Sequence, residues 1–145
     1  KVIEYNVRFG DPEAEAVIPR IKSDLLEIFM AMGQQTLHAV EVEIEKASTA
    51  TIIMVAGGYP EAYEKGIPIT GELETADSLT FHAGTNKIEG VLVTNGGRVL
   101  AVTSFGDTMQ QALDKSYQTV EGISFEKSNY RKDIGFDLKA LTASD

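Results

Sequence analysis

The sequence predicts a mixed α/β chain of the α+β kind: a mainly helical opening third, then a small β-rich domain with one main helix. Three observations point there. Leu25, Leu26, Phe29 and Met30 recur at helical spacing. Short apolar runs separated by glycine-containing turns fill residues 51–104. A long helical face of Met109, Ala112, Leu113, Ser116, Tyr117 and Val120 follows. The helical pattern gives way to the β pattern near residues 45–50, which divides the chain into parts 1–48 and 49–145.

Val2 to Val7 alternates, with Val2, Glu4 and Asn6 on one side and Ile3, Tyr5 and Val7 on the other, the pattern of a strand. Phe9-Gly10-Asp11-Pro12 breaks it. Asp11 is expected to cap a short helix that has Pro12 at its first position and runs to Ile18. Ser23 is expected to cap a second helix, with Leu25, Leu26, Phe29 and Met30 facing the core and Gly33 ending it. Val40, Val42 and Ile44 alternate with Glu41, Glu43 and Glu45, a solvated strand. Thr51 to Ala56 is a continuous apolar run, a buried strand, closed by the turn Gly57-Gly58-Tyr59-Pro60. Ile67–Thr70, Leu79–His82 and Gly90–Thr94 are short strands. Asn95-Gly96-Gly97 reads as a tight turn needing positive φ, which makes Val91–Thr103 a hairpin with Arg98–Ser104 as its return strand. Asp107 or Thr108 caps the long helix, and Ile123–Ile134 is irregular ahead of a frayed tail.

Composition narrows the function. The 145 residues hold 43% hydrophobic and 24% charged side chains, enough apolar material for a core. With 22 acidic and 13 basic residues the net charge is -9, which argues against general nucleic-acid binding while leaving room for a local basic pocket. The absence of cysteine removes disulfides, thiolate zinc sites and cysteine nucleophiles, and fits a reducing cytosol. No apolar run approaches the ~20 residues that span a bilayer, and no signal peptide opens the chain. A strand beginning at Lys1, with no initiator Met, leads to the expectation that sequence is missing upstream.

The densest polar cluster is Glu4-Tyr5-Asn6-Val7-Arg8-Phe9-Gly10-Asp11-Pro12-Glu13. On a strand Glu4, Asn6 and Arg8 project together. A carboxylate and an amide oxygen are hard ligands suited to Mg²⁺, and an adjacent Arg can clamp a phosphate or carboxylate. Phosphoryl transfer needs that combination. An isolated E-x-N-x-R is more often a solvated face with a chance Glu4–Arg8 salt bridge. Here the run continues into R-F-G-D-P-E and a helix.

This segment resembles the end of the ATP-grasp domain in the phosphoribosylamine–glycine ligase (glycinamide ribonucleotide synthetase) family. Further blocks resemble the family in the same order: Pro19-Arg20-Ile21-Lys22-Ser23-Asp24-Leu25-Leu26, Gly57-Gly58-Tyr59-Pro60, Tyr63-Glu64-Lys65-Gly66, Phe81-His82-Ala83-Gly84-Thr85, Thr94-Asn95-Gly96-Gly97-Arg98-Val99-Leu100 and Tyr130-Arg131-Lys132-Asp133-Ile134-Gly135. The resemblance implies that residues 1–48 are the end of an ATP-grasp domain and 49–145 the family's C-terminal domain. It implies a cytoplasmic ligase of purine synthesis that joins glycine to 5-phosphoribosylamine through glycyl phosphate, converting ATP to ADP and phosphate. By the same resemblance, Glu4 and Asn6 are ligands of Mg²⁺ (or Mn²⁺), Arg8 is catalytic, and Asp11 and Glu13 orient substrate. A structural role is as well supported for those two: Asp11 as helix cap, Glu13 as a first-turn anion. Most of the nucleotide site would lie upstream, so the piece alone is expected to be inactive.

Rival readings are another ATP-grasp carboxylate–amine ligase or carboxylase, a non-catalytic module that kept the C-terminal domain, and a free-standing acidic domain. His82, at a strand end, is more often structural than catalytic, and His38 has no evident partner. Arg98 either reaches a substrate phosphate or pairs with a nearby acid. In the family the C-terminal domain closes over the active site, so the turn at Gly57–Pro60 is a candidate lining element.

Overall fold

The computed structural model describes Val2, Tyr5 and residues 7–138. The labelled elements are α1 (Glu13–Val17), α2 (Leu25–Gly33), β1 (Ser48–Val55), β2 (Thr70–Gly71), β3 (Ser78–His82), β4 (Thr85–Ile88), β5 (Val91–Thr94), β6 (Arg98–Gly106), α3 (Met109–Glu121) and β7 (Ile123–Ser124), with 3₁₀ turns at Ile18–Arg20 and Leu37–Ala39. This is the mixed helix-and-antiparallel-sheet architecture that the sequence predicts.

The central sheet has the order β1-β6-β3, antiparallel throughout. β6 is the middle strand, and Val99 to Ser104 are all buried, because a central strand covered on both faces has no solvated side. One face packs on α3: Ala50, Ile52, Met54, Leu100 and Val102 form the core with Ala112, Leu113 and Val120. Thr108 caps α3 by accepting from Gln111 N at 3.2 Å. The opposite face carries α1, whose backbone carbonyls accept from sheet hydroxyls: Thr49 Oγ1 to Ala16 O at 2.9 Å and Thr103 Oγ1 to Glu15 O at 3.0 Å.

Buried hydroxyls join α3 to the sheet in one chain. Ser116 Oγ lies 2.8 Å from Ala50 O and 2.9 Å from Ser104 Oγ. Ser78 Oγ lies 2.6 Å from Ser104 Oγ and 2.8 Å from Thr119 Oγ1. A carbonyl only accepts and each hydroxyl has one proton, so the direction that satisfies every link runs Thr119 to Ser78 to Ser104 to Ser116 to Ala50 O.

Several local expectations are corrected. Asp11 does not cap α1: Pro12 stands at the cap position and no side chain caps the helix. Asp24, not Ser23, caps α2, accepting from Leu26 N at 2.7 Å, while Ser23 Oγ accepts from Glu43 N at 2.8 Å. α2 buries Ile28 and Ala31 and leaves Leu26, Phe29 and Met30 exposed. It is apolar on nearly every side, so spacing cannot select a face. The segment 40–45 forms no ladder, only an isolated bridge between Ile21 and Ile44. The expected hairpin of 91–103 is absent: β5 pairs with β4, through Glu89 and Gly90 at φ 50° and 86°, while β6 turns away to pair with β1 and β3. Gly96 and Gly97 are not at positive φ among the described glycines. They are glycines because of close approach: a Cβ on Gly96 would lie 2.8 Å from Gly84 Cα, and one on Gly97 would strike the Tyr59 ring.

Candidate functional site

The motif that ends in α1 is held against the C-terminal sheet. Arg8 is exposed in a bend, its Nη1 donating to Phe9 O at 2.7 Å. Glu13 folds back over Gly10, where an added Cβ would lie 2.7 Å from its Oε2. Glu13 and Glu15 occupy the first turn of α1, where the helix end favours negative charge. The Asp11 carboxylate points across the domain to Arg98, with Oδ2 3.3 Å from Nη2, and Arg98 Nη1 also donates to Asp11 O at 3.4 Å. The structure therefore resolves the Arg98 alternatives as an acid partner 87 residues away.

Glu4 and Asn6 lie outside the described residues, as does most of the expected opening strand; Val2 and Tyr5, which are described, are exposed and carry no strand. Among the described residues no group of three or more His, Cys, Asp or Glu could hold a metal. The donor set of Glu4 and Asn6, one carboxylate and one amide oxygen, is chemically suited to Mg²⁺ or Mn²⁺ with water completing the shell.

Beside the Asp11–Arg98 link is a cavity of about 400 Å³, walled by Pro12, Ile53, Tyr59, Arg98, Tyr130 and Arg131 among others. Thr51, Ile53 and Val55, the half-buried face of β1, line it. The run 51–56 is thus continuously apolar, but only its alternate residues are fully buried. The walls are fixed by long-range contacts. Val55 and Asn129 exchange backbone hydrogen bonds at 2.8 and 3.0 Å. The Tyr117 hydroxyl donates to Arg131 O at 3.0 Å and accepts from Ile134 N at 3.3 Å. Tyr59 rests against Gly97. Arg131 forks onto Asp133, with Nε to Oδ1 at 2.9 Å and Nη2 to Oδ2 at 3.0 Å. That pairing raises the Arg131 guanidinium above its ordinary value and lowers the Asp133 carboxyl below its own. His82 lies elsewhere, exposed at the end of β3 with Nδ1 3.1 Å from Thr85 Oγ1.

A family model described as phosphoribosylglycinamide synthetase, C domain, matches residues 49–137. The chain belongs to the phosphoribosylglycinamide synthetase family. It is 47% identical over 135 residues to the bifunctional purine biosynthetic protein ADE1 of Schizosaccharomyces pombe, covering 92% of this chain and 17% of that one. It is 44% identical over 143 residues to phosphoribosylamine–glycine ligase of Chlorobaculum tepidum, covering 97% and 33%. The crystal structure of phosphoribosylamine–glycine ligase from Thermotoga maritima superposes with a TM-score of 0.73 at 37% identity, covering 91% of this chain and 32% of that one. The chain thus spans a third or less of the length of these relatives. The rival ATP-grasp families are not favoured by these matches.

Arg131, Tyr130 and Asn129 were present in the sequence only as parts of a family block. Nothing local marks them as neighbours of Pro12 and Arg98. The bridge from Asn129 to Val55 brings them there.

Proposed function

We propose that this chain is the C-terminal portion of an ATP-dependent ligase that joins glycine to 5-phosphoribosylamine in purine synthesis. The observation that carries this reading is the Asp11–Arg98 link, which ties the R-F-G-D-P-E motif to the rim of a cavity in the C-terminal domain. The names of the relatives, ligases and purine biosynthetic proteins, support it. The division into 1–48, the end of an ATP-grasp domain, and 49–145, the C-terminal domain, is supported by a family match that begins at residue 49.

In this reading the γ-phosphoryl group of ATP passes to the glycine carboxylate. The amine nitrogen of phosphoribosylamine then attacks the acyl carbon, phosphate leaves with its oxygen, and the nitrogen loses a proton. Arg8 steadies negative charge on the reacting carboxyl or phosphoryl oxygens. Glu4 and Asn6 would hold Mg²⁺ or Mn²⁺, which supplies charge neutralisation at the nucleotide phosphates. Asp11, already committed to Arg98, orients substrate from the rim, and Glu13 steadies the turn beneath it. The partners are ATP, glycine and phosphoribosylamine, together with the upstream part of the same polypeptide. Nucleic acid is not among them at a net charge of -9. No helix among the described residues is long and apolar enough to cross a membrane, and the reading assigns the enzyme to the cytoplasm.

The test is ADP release by a polypeptide that extends this chain upstream to the full length of its relatives. Release that requires both glycine and phosphoribosylamine is expected, with none from the 145-residue chain alone. Release of ADP by the short chain, or a long chain indifferent to glycine, contradicts the reading.

A further inference from the structure

We propose that the cavity beneath the Asp11–Arg98 link is a sugar-phosphate site, with Arg98 and Arg131 holding the phosphate; its assignment to the phosphorylated amine rests on the ligase reading above.

Two guanidiniums line this single cavity in a chain whose net charge is -9. Cations gathered at a concave site against the overall charge mark an anion-binding position. Neither guanidinium is exhausted by its acid partner. Arg131 uses Nε and Nη2 on Asp133, and Arg98 uses Nη1 and Nη2 on Asp11 at 3.4 and 3.3 Å, the long end of the range. A guanidinium has five N–H donors, so Nη1 of Arg131 and Nε of Arg98 keep donors for a phosphate oxygen. Paired arginines are also held in place before any ligand arrives, which limits the ordering cost of binding.

The rest of the cavity suits a sugar rather than a bare ion. Its volume of about 400 Å³ is at the small end of ligand pockets. Its walls combine apolar Ile53 and Val55 with the rings of Tyr59 and Tyr130. The Arg131 backbone is anchored by the Tyr117 hydroxyl, so the cation sits on a fixed segment. The carboxylate of Asp133 competes with an incoming phosphate for Arg131, which yields a test of opposite signs.

The 145-residue chain is titrated by NMR with ribose 5-phosphate, inorganic phosphate and ribose. Saturable shifts at Tyr59, Tyr130 and Arg131 are expected with ribose 5-phosphate, weaker binding with phosphate, and none with ribose at the same concentrations. Arg131→Gln should weaken ribose 5-phosphate binding about tenfold, the loss of one charge-assisted contact. Asp133→Asn should strengthen it, which a damaged fold would not do. Lys115→Gln, whose cation faces Asp77 in a different hollow, should leave it unchanged. Absent or non-saturable binding, equal binding of ribose, or an Asp133→Asn variant no tighter than the parent overturns the proposal. Inorganic phosphate binding as tightly as ribose 5-phosphate overturns the sugar half. This titration needs no turnover, so its failure is separate from failure of the ligase reading.

Discussion

Arg98 and Asp11 should contribute little to stability for a pair that joins segments so far apart in sequence. At 3.3 Å two unit charges in water attract by about 1.3 kcal/mol. The side chains are 40% and 56% exposed, so salt screening and the cost of ordering two flexible groups reduce that. The coupling expected from a double-mutant cycle of Arg98→Met and Asp11→Ala is about 0.5 kcal/mol, within the ~0.2–1 kcal/mol typical of exposed pairs. It should shrink in 1 M salt. The assay is urea denaturation of the four proteins at low and high salt. A coupling above about 2 kcal/mol, or one indifferent to salt, refutes the reasoning. The pair would then be a buried-type stability element rather than a positional link between motif and cavity.

Ser116→Ala should destabilise by about 1–3 kcal/mol, because it strips the Ala50 carbonyl and the Ser104 hydroxyl of their partner in a buried site; urea midpoints read this directly. Glu45 accepts from the backbone N–H of Ala47 at 3.3 Å and Lys46 at 2.7 Å, bonds that hold its carboxyl below the ordinary value of 4.5. A depressed carboxyl stabilises fully above its ordinary value and loses that contribution as pH falls through the folded value. Glu45→Gln should therefore be less stable than the parent near pH 7 and match it once both are protonated, as urea midpoints across that range will reveal.

What the sequence discloses here follows the range of the forces involved. α3 is legible because its apolar face is one-sided and its cap, Thr108, is local. The motif at Arg8–Glu13 is legible because its chemistry is packed into a few neighbouring residues. The partner of β5 is not, since the turn Glu89–Gly90 and the turn Asn95–Gly97 both look like hairpin turns, and the choice between them is made by β6 entering the centre of the sheet. Arg131 was invisible for the same reason: its relation to Pro12 exists only after Asn129 joins the edge of β1. α2 misled because an apolar helix with exposed Leu26, Phe29 and Met30 contains no pattern that says which stripe is inward.

The most direct test of the central claim, that the opening motif carries ligase chemistry at the edge of this domain, is the Mg²⁺ dependence of glycine-dependent ADP release by the upstream-extended enzyme with and without Glu4→Gln. The account predicts a much higher Mg²⁺ requirement and a lower maximal rate for the variant, with fold and thermal midpoint preserved. An unchanged Mg²⁺ titration and rate would contradict it.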